Sequence, residues 1–283
     1  MLKSQIETIL KTQVERTTSL HGGNIAQAYR VDLADGRRVV AKTSHDRNLH
    51  IEGDMLRDLK PHLPVPTVHH AAPELLIMDY VPGDSRMTPD VQAHAADLLA
   101  DLHAVRGEYF GYPRHTLIGG LHQPNPPTSR WVAFFRDHRL LYMADEALKS
   151  GHLPAKLRDR VEKFAARVGD FIDEPPYPAL LHGDVWTTNV LAEGGRVTGF
   201  IDPAIYYGHP EIELAFSTLF GTFGDPFFNR YRQHHEIMPG FFEARDGASR
   251  RDIYNLYPLL VHVRLFGVSY AASVDRILRA SGF

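Results

Sequence analysis

The chain of 283 residues contains no cysteine. That excludes disulfides, cysteine-bound metal and thiol catalysis, and it fits a reducing, cytoplasmic setting. No apolar run is long enough to span a bilayer, so no membrane partner is expected. A net charge of −3 and a pI near 6.6 give no electrostatic case for nucleic acid or an anionic lipid surface. Histidine is plentiful, at 17, yet no two fall at the i, i+3 or i, i+4 spacing of a helical metal site, and there is no His-Glu-x-x-His. His69-His70 and His234-His235 read as solvated or capping residues. No internal repeat, low-complexity tract, targeting signal or lipidation signal is visible.

What is present describes a globular chain, with 43% hydrophobic and 23% charged residues and a length that suits one large domain or two lobes. Residues 1–11 read as an amphipathic helix with a capping box between Ser4 and Glu7. Three antiparallel strands follow at 14–20, 25–33 and 37–42, the second and third joined by a turn at Ala34-Asp35-Gly36. A helix over 48–60 stops at Pro61, and an apolar strand over 74–80 ends at Pro82-Gly83. Beyond Pro89 the period changes. Val91, Ala95, Leu98, Leu99 and Leu102 recur at helical spacing, as do Trp131, Phe134, Phe135, His138 and Leu141, and further helices are expected at 154–171, 211–220, 226–234 and 249–279. The break near Val81-Pro82-Gly83 divides a small β-rich part, residues 1–81, from a larger helical part, residues 82–283.

The chemistry concentrates in His182-Gly183-Asp184-Val185-Trp186-Thr187-Thr188-Asn189 and Gly199-Phe200-Ile201-Asp202. An Asp five residues before an Asn, then a second Asp after a Gly194-Gly195 hairpin, is the polar skeleton of a phosphoryl-transfer site. In that reading Asp184 accepts the proton of the attacking hydroxyl, while Asn189 and Asp202, both hard oxygen donors, hold Mg²⁺ against the phosphates of ATP. Lys42 ends the run Val39-Val40-Ala41-Lys42, which resembles the strand whose lysine grips the α and β phosphates of ATP in kinases. Glu52 shares a helix face with Leu56 and Leu59, where a carboxylate needs a partner, and Lys42 is the obvious one. Gly22, Gly23 and Asn24 lie between two strands and could close over phosphates, or be a plain turn. Met78, Asp79, Tyr80 and Val81 lie where an extended hinge offers backbone groups to an adenine edge. Glu211 and Glu213 either anchor the next helix or reach substrate, and Trp186 either walls the acceptor pocket or anchors its loop.

These residues belong to a longer likeness. The chain resembles the fructosamine kinase (ketosamine-3-kinase) family of the aminoglycoside phosphotransferase and protein-kinase-like superfamily. The resemblance runs through Gly22-Gly23-Asn24-Ile25, Phe110-Gly111-Tyr112-Pro113-Arg114, Ile118-Gly119-Gly120 with Gln123-Pro124-Asn125, and Trp131 with Phe134-Phe135-Arg136. It continues in His182-Gly183-Asp184-Val185-Trp186, Ile201-Asp202-Pro203-Ala204, Leu219-Phe220-Gly221 and Leu265-Phe266-Gly267. It implies an α+β, bilobal protein-kinase-like fold, a nucleotide-binding N-lobe, and ATP with Mg²⁺. The reaction implied is transfer to a hydroxyl of a ketosamine, free or protein-bound, a step that in the family labilises the sugar–amine adduct. Thr187-Thr188 departs from the Ser-Gly usual between the Trp and the Asn, and two β-branched residues stiffen that loop. Two other readings stand beside this one: a kinase for an aminoglycoside or amino alcohol, and a nucleotide-binding pseudokinase. Against the second, the Lys and both Asp positions are filled.

Overall fold

Strands buried on both faces read as unbroken apolar runs, whereas edge strands keep polar residues, and this contrast organises the first part of the chain. A computed structural model describes residues 2–20, 26–46, 48–244 and 247–283. Its contacts divide into two compact units, residues 1–86 with 188–203 and residues 87–187 with 204–283.

The first unit opens with helix α1 (Leu2–Leu10) and holds an antiparallel sheet of β1 (Val14–Leu20), β2 (Gln27–Leu33), β3 (Arg38–Thr43), β4 (Val68–Ala72) and β5 (Leu75–Asp79) in the order β1-β2-β3-β5-β4. Edge strand β1 buries only Val14, while Val39 to Ala41 and Leu75 to Met78 are buried without interruption. On one face Ile6 of α1 joins Val14, Val31, Leu33, Val39, Ala41 and Ile77 in a core. Helix α2 (Leu49–Leu59) packs near β4, so closely that a Cβ on Gly53 would lie 2.5 Å from that of Ala71. Strand β4 escapes the sequence reading because Pro64 and Pro66 precede a short stretch of two histidines and two alanines. The expected capping box does not form. Ser4 lies inside α1, and Glu7 accepts instead from the Val14 N–H at 3.0 Å.

The second unit begins with α3 (Pro89–His103), capped by the Thr88 hydroxyl. A small hairpin, β6 (Thr116–Ile118) and β7 (Leu121–Gln123), leads to α4 (Trp131–Phe135), a π-helical turn over Arg136–Leu141, α5 (Tyr142–Lys149) and α6 (Ala155–Ala165). Next comes β8 (Ala179–Leu181), which in this unit pairs with β11 (Tyr206–Gly208). Between them in sequence, and belonging to the first unit, lies the hairpin of β9 (Val190–Glu193) and β10 (Arg196–Phe200), turned by Gly194 and Gly195 at φ of 60° and 80°. Helices α7 (Pro210–Leu219), α8 (Asp225–Tyr231), α9 (Arg250–Phe266) and α10 (Ala271–Ala280) complete the chain. The single helix expected over 249–279 is therefore two, broken at Gly267, whose φ of 92° no helix interior adopts. The helix expected over 154–171 likewise ends early, in a 3₁₀ turn over Val168–Asp170.

At the core of this unit Trp131 is fully buried, stacked near Phe134 and Phe135, with its indole N–H donating to the Tyr254 hydroxyl at 3.1 Å. The π turn carries a second buried anchor, Arg139. Its guanidinium lies 4.0 Å from the Tyr206 ring centre and donates to Asn125 Oδ1 and the Pro124 carbonyl. Gln123 in turn donates to the Ala204 carbonyl and accepts from the Tyr257 hydroxyl. The Gln-Pro-Asn loop is thus a bracket between the π turn, α9 and the residue that follows the Asp202-Pro203 step.

Candidate active site

In the first unit β3 places Lys42 opposite Ala28 and Leu76, with its side chain near α2. Its Nζ bonds Glu52 Oε1 at 2.7 Å and also meets Asp202 Oδ1. Burial opposes the ammonium, but the Asp202 and Glu52 carboxylates outweigh it and raise Lys42 above its ordinary value. Burial also pushes Glu52 up, with Lys42 pulling the other way, so the carboxylate is held in place by its lysine and not by water. The sequence-derived pair is present, and it is joined by the second Asp of the motif.

Asn189 and Asp202 flank the outermost pair of the β9–β10 hairpin, Val190 with Phe200, and the Ile201 N–H donating to the Asn189 carbonyl at 3.0 Å carries the pairing one step further. This brings both residues to one rim. Asp202 sits at φ 55°, unusual for a residue with a side chain, and immediately before Pro203. Its side chain stays 44% exposed. One amide oxygen and one carboxylate on the same rim suit a hard divalent cation that keeps water and phosphate as its other ligands. Among the described residues no group of three or more His, Asp or Glu could hold a metal, so a cation here would depend on the nucleotide for ligands.

The proposed adenine hinge is partly committed already. The Asp79 N–H donates to the Thr67 carbonyl at 2.9 Å and the Tyr80 N–H to the Arg38 carbonyl at 3.1 Å. The Asp79 carboxylate meets His69 at 2.6 Å, and Met78 is buried within β5. Of the four, Val81 lies just past this ladder. Gly22, Gly23 and Asn24 lie outside the described residues.

Asp184 belongs to the second unit, in the turn that leaves β8. The turn is fixed from two sides. The Ala204 N–H donates to the His182 carbonyl at 2.8 Å, and Gly183, at φ 86°, lies so close that a Cβ there would fall 2.1 Å from the Ala204 oxygen. From α7, Glu213 accepts from the Gly183 N–H at 2.5 Å and from the His182 N–H at 3.4 Å. His103 of α3 bonds the same carboxylate through Nε2 at 2.9 Å, and the Tyr231 hydroxyl of α8 meets its Nδ1 at 2.7 Å. Burial alone would raise the Glu213 carboxyl, but the hydrogen bond and charge of His103, with the Gly183 N–H, hold it below the usual range. His103 and Tyr231 went unnoticed in the sequence. The available signal was a histidine on the apolar face of α3, one residue after buried Leu102.

Glu211 is likewise committed, gripped by both arms of Arg250 at 2.7 and 2.8 Å. Trp186 is half-buried with its ring 5.6 Å from Phe220, and the Thr187 hydroxyl bonds that of Thr222 at 3.0 Å. The first of the two unusual threonines therefore ties its loop to the end of α7. Asp184 lines a cavity of about 30 Å³ with Leu181, Tyr206, Glu213, Phe216, Tyr257 and His262.

With this geometry in view, the comparisons with known proteins are specific. The fructosamine kinase family profile matches residues 2–281. A probable ketoamine kinase of Synechocystis is 36% identical over 187 residues, covering 64% of this chain and 59% of that protein. The chloroplastic protein-ribulosamine 3-kinase of Arabidopsis thaliana is 29% identical over 94% of this chain and 82% of its own length. A solved structure from Thermobifida fusca, assigned as a fructosamine-3-kinase, superposes with a TM-score of 0.87 at 29% identity, over 99% of this chain and 98% of that one. Solved phosphotransferases of 18% and 16% identity share the same α+β, kinase-like fold. A match from end to end, on a chain that joins a strand lysine to a helix glutamate and a hairpin aspartate, makes this protein a member of the fructosamine kinase family, a phosphotransferase acting on a hydroxyl group.

Proposed function

We propose that this protein phosphorylates a hydroxyl of a ketosamine at the expense of ATP, as a step in removing sugars from amines. The observation that carries the reading is the Lys42 ammonium held by both Glu52 and Asp202. A lysine fixed in this way is set to grip the α and β phosphates beside a metal-binding carboxylate. In this reading the first unit binds ATP, with Val81 and neighbouring carbonyls meeting the adenine edge and Gly22, Gly23 and Asn24 covering the phosphates. Asn189 and Asp202 hold Mg²⁺, which when bound supplies charge neutralisation to the phosphates. Asp184 takes the proton from the acceptor hydroxyl as its oxygen bonds to the γ-phosphorus and ADP leaves. Glu213 orients that loop and does not touch substrate. The absence of cysteine and the use of ATP fit a cytoplasmic setting.

The acceptor follows from where the acids are spent. An aminoglycoside carries several positive charges and needs several unpaired carboxylates to offset their desolvation. Residues 107–136 hold one acid, Glu108. Glu211 is bound to Arg250, and Glu213 to the loop backbone and His103. A neutral polyol with one secondary amine asks for less. ATP consumption by the purified protein is therefore expected on ribulosamine- or fructosamine-type compounds, with kcat/KM at least ~tenfold above that for any aminoglycoside, about 1.4 kcal/mol. A preference for aminoglycosides would overturn the acceptor while leaving the kinase.

A further inference from the structure

Large exposed hydrophobic side chains are few among the described residues; two of the six, Phe220 and Phe266, are linked to the loop of Asp184 through rings, and a third, Val268, follows two residues after Phe266. The links are ring contacts. Trp186, two residues after Asp184, lies 5.6 Å from Phe220, which lies 4.9 Å from His262, which lies 5.5 Å from Phe266. Tyr270 closes the group at 5.0 Å from His262. Phe220, Phe266 and Val268 are 37%, 44% and 63% exposed, although all three are apolar. Gly267, at φ 92° with open space around it, ends α9 between Phe266 and Val268.

Clustered apolar exposure marks a binding surface more often than scattered exposure does. Continuity says what this one binds, because Asp184, Phe216 and His262 line one cavity and Phe220 adjoins both rings. An acceptor that presents its hydroxyl to Asp184 therefore has these faces beside it. Burial keeps the His262 imidazole below its ordinary value, and its Nδ1 is spent on the Pro258 carbonyl at 2.7 Å. The ledge therefore offers ring faces and a methyl pair, which suit an aromatic or alkyl group and, through the rings, an adjacent ammonium.

We propose that Phe220, Phe266 and Val268 form the subsite for the amine part of the acceptor, selecting ketosamines of aromatic or long-alkyl amines over those of small, anionic amino acids. This rests on the ketosamine-kinase reading and deepens it. The test compares two adducts of one ketose, made from benzylamine and from glycine. The benzylamine adduct should show the higher kcat/KM by about two- to tenfold, the range expected of one or two aromatic contacts. Phe266→Ser and the fully surface change Val268→Ser should each bring that ratio toward one, with thermal melts verifying that both variants fold. An unchanged ratio in both folded variants, or no preference in the wild type, overturns the subsite while ketosamine phosphorylation stands. So does a concentration-dependent dimer that Phe266→Ser dissociates without altering the ratio, since the ledge would then cover a second copy of the chain. Inertness toward every ketosamine, with turnover on another alcohol, removes the functional reading and the subsite together.

Discussion

In the proposed mechanism Asp184 depends on groups that do not themselves meet the substrate. The side chain follows a glycine that only its left-handed φ and the nearby Ala204 carbonyl can explain, and Glu213 ties down the two amides just before it. The carboxylate of Glu213 collects three donors, so it stays ionised although buried. Removing the base should separate chemistry from binding. Asp184→Asn is expected to bind ATP with Mg²⁺ close to normally, by isothermal titration, and to turn over ~10²–10⁴ more slowly. Glu213→Gln should give an intermediate loss in kcat with little change in the KM for ATP, because it loosens the loop and leaves the nucleotide groups alone. Wild-type turnover in Asp184→Asn would place the base elsewhere.

At the scale of elements, α7 holds the second unit's site together, and its N-terminus carries a pH dependence. His209 caps the helix, its Nδ1 accepting from the Glu211 N–H at 3.1 Å, and this requires an unprotonated nitrogen. Burial pulls its pKa down from 6.5 to about 3, and the Arg250 charge pulls in the same direction. The folded value lies below the unfolded one, so the unfolded chain binds the extra proton first. The contribution is whole above about 6.5 and is lost as pH falls toward 3, at up to about 1.4 kcal/mol per pH unit. Urea midpoints taken at pH 7.5, 6.5 and 5.5 should fall more steeply for the wild type than for His209→Asn, which keeps a capping oxygen that does not titrate. Parallel slopes would assign the acid sensitivity to other groups. The same scale explains the missed break at Gly267. The apolar spacing continues through it, and a lone glycine inside a helical pattern does not by itself mark an end.

For the molecule as a whole, the chain's path matters more than any single motif. The first unit is completed by residues 188–203, which return after a hundred residues of the second. Asp84 and Ala192 bond each other's backbone at 2.9 and 2.7 Å, and the Phe200 N–H donates to the Pro64 carbonyl at 2.8 Å. The hairpin bearing Asn189 and Asp202 is thus built onto the unit that carries Lys42. A ligand that engages all three residues should stabilise the fold by linkage, by about 2.7 kcal/mol at a hundredfold excess over Kd. ATP with Mg²⁺ is expected to raise Tm by several degrees. That rise should shrink with EDTA, and with Lys42→Met or Asp202→Ala. A full shift in both variants would remove these side chains from the nucleotide site.

The sequence by itself determined the reaction class, a phosphotransferase, and most of the local elements. Asp184, Asn189 and Asp202 stood out as candidates because of a fixed spacing and a Gly-Gly turn, and the Lys42–Glu52 pair was legible because a buried carboxylate on an apolar helix face demands a cation. The three successive strands β1, β2 and β3, and α2, followed from strand-like runs, the Ala34-Asp35-Gly36 turn and Pro61. What only the tertiary structure decided were the partners of long sequence separation. Glu213 faces the loop amides with His103 of α3 against it and Tyr231 of α8 against His103, and Glu211 turns to Arg250 on α9. Asp79 and Tyr80 spend their N–H groups in the sheet. A buried polar side chain adopts whichever partner packing delivers, and local pattern carries no record of packing between residues far apart in sequence.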